Sequence, residues 1–150
     1  FVDYLQIKSP EKEMLRLICL VHDFGKYKVQ RNQRGDILGM THSQISEQFA
    51  QGIIQDRQVL KIIRWHDKYF SFYLNQTKRH SFNQHSFRTL YQSIDLGLMI
   101  KFNYIDQWER GKGSIIWFED MCSTLGLRNS KLYVNEPKVL DSYKNLRGNE

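Results

Sequence analysis

The apolar run Leu17-Ile18-Cys19-Leu20-Val21 stops at an adjacent imidazole and carboxylate, His22-Asp23, and continues as Phe24-Gly25-Lys26. A helix that ends its buried stretch on His-Asp must give those groups partners, because an unpaired buried carboxylate is costly. Neighbouring residues on an α-helix point about 100° apart, at ~3.6 residues per turn. Both side chains can therefore serve one centre only at a helix end or a distortion, and Gly25 reads as the terminator that supplies it. His42, His66 and Asp106 fall where three later helices can return to the pair. Mixed imidazole and carboxylate donors suit divalent Mn, Fe, Co, Ni or Zn. The pattern thus points to a metal site in the centre of a helical bundle, built for phosphate-ester chemistry. Asp23, with two oxygens, can bridge two ions.

The rest of the chain supports an all-α fold. With 150 residues and two prolines, it has the length of one domain and long segments free to be helical. Ser9-Pro10 followed by Glu11 and Glu13 is a helix start, and Met14, Leu15, Leu17, Ile18 and Val21 form its apolar stripe. Residues 27–40 are polar and read as a surface loop. Thr41 and Gln44 have capping-box spacing, which puts His42 in the first turn of a second helix with Ile45, Phe49 and Ile53 as its apolar positions. Asp56 caps a third helix that ends at His66-Asp67. Residues 68–84, aromatic and then polar, carry no clear period. Helices resume over 86–94, 95–111 and 114–125, and a weak one is expected within 139–146. The expected core spans about 10–127, with 128–150 a peripheral tail. The chain begins with Phe1, so an excerpt of a longer protein is expected.

Composition narrows the partners. Hydrophobic residues at 41% exclude a disordered chain, and no apolar stretch reaches the ~18 residues of a membrane span. The net charge of +6 fits an anionic partner such as a nucleotide or nucleic acid. Two distant cysteines, Cys19 and Cys122, make no disulfide framework and fit a reducing, cytoplasmic setting.

Each candidate ligand has a plain alternative. His42 can be a solvated first-turn histidine, Asp67 a surface charge, and Asp106 the partner of Arg110 four residues on. His80 and His85 lie in polar sequence and are set aside. Lys26 is a candidate catalytic cation for a phosphate oxygen, or a lysine complementing the helix dipole. Lys28, Arg31 and Arg34 are further phosphate-binding candidates. Trp65, Tyr69, Phe70 and Phe72 beside His66 can stack a base or close the core.

Taken together, "LVHDFGK", "MTHSQISEQFA", "IIRWHD" and "YIDQWERG" resemble the HD-domain superfamily of metal-dependent phosphohydrolases, over roughly residues 15–111. The resemblance implies an HD-type helical bundle and a metal set of His22, Asp23, His42, His66 and Asp106. It implies one or two divalent ions; Asp23 and, from its place one turn after the pair, Lys26 are the candidate catalytic residues. It also implies a histidine upstream of the pair, and residues 1–21 contain none. If that ligand is lost, the ion held by His22, Asp23 and Asp106 is weakened, while the one held by Asp23, His42 and His66 survives. The wording over 22–42 is most similar to HD domains of RNA-end-processing and tRNA-nucleotidyltransferase enzymes, which implies hydrolysis of 2′-phosphates or 2′,3′-cyclic phosphates. Two other readings stand beside it: a single-stranded DNA nuclease of HD type, and a degenerate module that binds a nucleotide without turnover.

Overall fold

Short polar caps set the helix boundaries in this chain. The computed structural model describes residues 9–106 and 113–127. Among them run seven α-helices: α1 Ser9–Val21, α2 His42–Gln51, α3 Arg57–Trp65, α4 Lys68–Arg79, α5 Gln84–Tyr91, α6 Leu96–Asp106 and α7 Gly113–Thr124. The fold is all-α, with one antiparallel hairpin, β1 Gln30–Arg31 with β2 Ile37–Leu38, inside the exposed 27–40 loop. The expected 128–150 tail and 139–146 helix lie outside the described residues.

The capping expectations hold at two starts that matter for the site. Thr41 and Gln44 exchange both bonds of a capping box, which fixes His42 at the first position of α2. Asp56 Oδ1 accepts from Gln58 N at 2.7 Å and Val59 N at 3.0 Å, starting α3 so that it ends on His66.

Three apolar readings need correction. In α1 the buried face is Leu15, Ile18 and Val21, whereas Leu17 is exposed. In α2 the buried residues are Ser43, Ser46 and Ala50, while Phe49 is partly exposed against the Phe24 ring and Ile53, past the helix end, is exposed. Small residues allow α2 to pack closely on its neighbours, so the visible apolar period named the wrong face. Residues 68–79 form α4, which periodicity missed because Tyr69 is its one fully buried side chain.

Helix α6 is buried all round from Leu96 to Tyr104, the signature of a central helix. It packs on α1 and α7, and a Lys101–Glu11 ion pair at 2.5 Å ties it to α1. Tyr69 is buried in an aromatic cluster with Phe87, Tyr91 and Phe118, and the partly buried Phe72 packs against it, so both rings serve the core. Phe70 is exposed, and Trp65 lies partly buried beneath the Arg64 guanidinium.

Candidate metal centre

Helix α1 tightens as it ends. His22 N still bonds to Ile18 O, but Phe24 N bonds to Val21 O and Lys26 N to Asp23 O, three residues back. This turn swings His22 and Asp23 to one side, the distortion that the adjacent pair required. Gly25 does not end the helix through a left-handed conformation; its φ is −75°. A Cβ there would run into the His42 carbonyl oxygen and lie 2.8 Å from Ile45 Cβ. Gly25 N also donates to the buried Ser46 Oγ at 2.8 Å. The glycine therefore brings the end of α1 against the first turn of α2, and with it Asp23 towards His42.

The groups converge from four helices. His22 Nε2 lies 3.1 Å from Asp106 Oδ1 and 3.2 Å from Asp23 Oδ2. Asp23 turns its other oxygen to His42, with Oδ1 3.6 Å from Nε2. His42 Nε2 is 3.4 Å from His66 Nε2 and 3.6 Å from Asp67 Oδ2. The Phe102 ring of α6 lies edge-on beneath His22 and His66, at 5.0 and 5.9 Å between centroids.

Backbone carbonyls orient two of the imidazoles. A carbonyl can only accept, so the Nδ1 facing it carries the proton. His22 Nδ1 faces the Ile18 and Cys19 carbonyls at 3.1 Å, and His66 Nδ1 faces Ile63 O at 2.8 Å. Such bonds fix which ring nitrogen a metal meets, leaving Nε2 towards the cluster. Burial depresses the His66 pKa, and the nearby His22 and His42 add to this against the pull of Asp67. Burial also acts to lower His22, but its hydrogen bond to Asp106 and the charge of Asp23 outweigh it and raise the pKa. Burial acts to raise Asp106, yet the His22 contact carries its carboxyl below the ordinary range.

Two donor groups emerge, His22 with Asp23 and His66, and His42 with His66 and Asp67; within each, the ligand atoms lie within 4.8 Å of one another. Imidazole nitrogens and carboxylates at this spacing fit a divalent transition metal. Four of the five expected ligands fall in these groups, and Asp106 adjoins them through its 3.1 Å contact with His22 Nε2. Asp67, whose plain alternative in the sequence is a surface charge and which stands outside the expected set of five, joins the second group; its signal is a second His-Asp dipeptide at a helix end. Arg110, the alternative partner of Asp106, lies outside the described residues.

The cationic candidates divide. Lys26 Nζ touches the cluster, 2.5 Å from Asp23 Oδ2. Lys28 lies over the Phe24 and Tyr27 rings, Arg31 bonds to the Gly35 carbonyl at 2.8 Å, and Arg34 is exposed beside that turn. None of these three bonds to a cluster residue among the described ones. Neither Cys19 nor Cys122 is in a disulfide.

The HD domain family model matches residues 3–82, more than half of the chain. The chain belongs to the HD domain family. Its matched span carries both His-Asp pairs and His42, while Asp106 lies beyond it and is joined to the HD site by the fold. HD domains are typically metal-dependent hydrolases that bind divalent ions, which agrees with the donor groups here. No curated protein and no solved structure was found that matches the chain. No helix among the described residues is long and apolar enough to cross a membrane.

Proposed function

We propose that this HD domain is a metal-dependent phosphohydrolase acting on nucleotides or RNA ends, at a 2′-phosphate or a 2′,3′-cyclic phosphate. The observation that carries the reading is the convergence of His22, Asp23, His42, His66, Asp67 and Asp106 on one spot, with two imidazoles held by backbone carbonyls. One or two divalent ions would be held by these side chains, with Asp23 able to face both groups through its two oxygens. When bound, such ions polarise the phosphoryl group and bring a water towards ionisation near neutral pH.

The protein's own residues do the remaining work. Phe102 and the buried His66 wall the inner side of the cluster, and a low-dielectric wall strengthens charge interactions beside it. The carbonyls of Ile18, Cys19 and Ile63 hold the rings in one orientation. Lys26 is more than half exposed and already rests on Asp23, so it is placed to neutralise a non-bridging phosphate oxygen. The net charge of +6 favours approach of an anionic ester.

Hydrolysis of a 2′,3′-cyclic nucleotide with Mn²⁺, compared with cleavage of single-stranded DNA, tests the reading. The cyclic ester is expected to turn over faster. The reverse ranking favours the nuclease, and turnover of neither favours a module that binds without catalysis.

A further inference from the structure

A cleft of about 240 Å³ opens between the first turn of α2 and the α3–α4 junction. Its wall includes Thr41, Ser43, Arg64, Asp67, Lys68 and Ser71. Asp67 belongs to both the cleft and the His42–His66 donor group, so the cleft adjoins the candidate metal centre.

The charges on this wall are unequal. Arg64 is neutralised by Glu47, at 2.5 Å, and lies over Trp65. Lys68 is exposed; its Nζ sits 5.9 Å from the Phe72 centroid and has no carboxylate partner among the described residues. Thr41 is occupied in capping α2, and Ser43 Oγ lies 3.0 Å from it. Ser71 is exposed and lines the wall. Pockets that enclose a drug-sized ligand measure about 300–1,000 Å³. This one is smaller, and suits a sugar and a phosphate, not a whole nucleotide.

We infer that the cleft is a sugar-phosphate subsite, in which Lys68 Nζ binds a second phosphate of the substrate while the ester to be cleaved lies at the metal centre. Resting on the phosphohydrolase reading, the inference adds a preference for nucleotides or strand ends that carry two phosphates. A lysine suits that role as a compact cation with three rotatable donors.

The test is calorimetric binding of adenosine 3′,5′-bisphosphate and adenosine 3′-monophosphate to the full chain, with circular dichroism to check folding. Wild type is expected to bind the bisphosphate about tenfold more tightly, the scale of one charged hydrogen bond. Lys68→Ala should lose most of that preference, and Ser71→Trp should weaken both ligands. Lys78→Ala, on the last turn of α4, should keep wild-type values. An absent preference in wild type, or a preference that survives in Lys68→Ala, overturns the inference. Parallel assays of 2′,3′-cyclic nucleotide hydrolysis with Mn²⁺ separate the two ideas. Preference without hydrolysis refutes the enzymatic reading alone, and hydrolysis without preference refutes the subsite alone.

Discussion

His-Asp occurs twice at a helix end in this chain, as His22-Asp23 after α1 and His66-Asp67 between α3 and α4. Locally the copies match. Each histidine donates from Nδ1 to a carbonyl three or four residues back, and each ring meets Phe102. Their surroundings differ. His22 lies between two carboxylates, Asp23 and Asp106, and its pKa rises; His66 is buried near two imidazoles, and its pKa falls. The same dipeptide thus has its histidine pKa shifted in opposite directions, down by burial at His66 and up by two carboxylates at His22. The aspartates differ too: Asp23 faces both His22 and His42, while Asp67 faces His42.

The largest expected contrast lies in turnover of the two aspartate variants. Asp23→Ala should lower phosphoesterase turnover by roughly 100- to 1,000-fold, the scale of losing a central charge-stabilising group. Asp67→Ala should cost about tenfold, closer to the loss of a supporting contact. Equal losses would mean that the two pairs are equivalent.

Gly25 separates the pairs structurally, since the position three after the second histidine is the core residue Tyr69. Gly25→Ala should destabilise by about 3 kcal/mol, the upper end for overpacking, because the obstruction is backbone. Urea unfolding measures it, and a cost below roughly 0.5 kcal/mol would show that α1 and α2 approach less closely than described.

A pH series on chelator-treated protein resolves the imidazoles. The raised His22 pKa contributes stability that is full below about 6.5, its unfolded value, and is lost as pH rises through the folded pKa. The lowered His66 pKa acts in reverse: stability is full above about 6.5 and falls with acidification towards the folded pKa. His22→Gln should therefore lose the gain in stability that wild type shows as pH falls towards about 6.5. His66→Gln should flatten the decline in acid. Proton NMR titration in which His22 ionised at a lower pH than His66 would reverse the comparison.

Cys19 gives the smallest effect. Burial, with the charge of Asp106 adding to it, pushes its thiol up to about 11. Reaction with a disulfide reagent at pH 8 should be roughly tenfold or more slower than for a free thiol. Asp106→Asn should speed it slightly; no change would place the Asp106 charge farther from α1.

Much of this was legible from local chemistry. The Thr41–Gln44 capping box and the Asp56 cap each require residues within four positions, and they fixed where His42 and His66 stand. Asp106 was legible because a carboxylate amid apolar residues needs a partner. What sequence could not show were effects that depend on long-range packing. The buried face of α2 is Ser43, Ser46 and Ala50, small residues that carry no hydrophobic period. Asp67 looks solvated until α2 brings His42 to it. Gly25 reads as a terminator because its real constraint, the carbonyl of His42, lies 17 residues away. Tyr69 and Phe72 look available until α5 and α7 close over them.

Metal content tests the central claim most directly, because His66 belongs to both donor groups. Elemental analysis after exposure to Mn²⁺, Fe²⁺ or Zn²⁺ and removal of excess should find bound metal in wild type. His66→Ala, with its helical circular dichroism retained, should lose it. A wild-type protein that retains no metal, or a folded His66→Ala protein that retains it undiminished, would contradict the account.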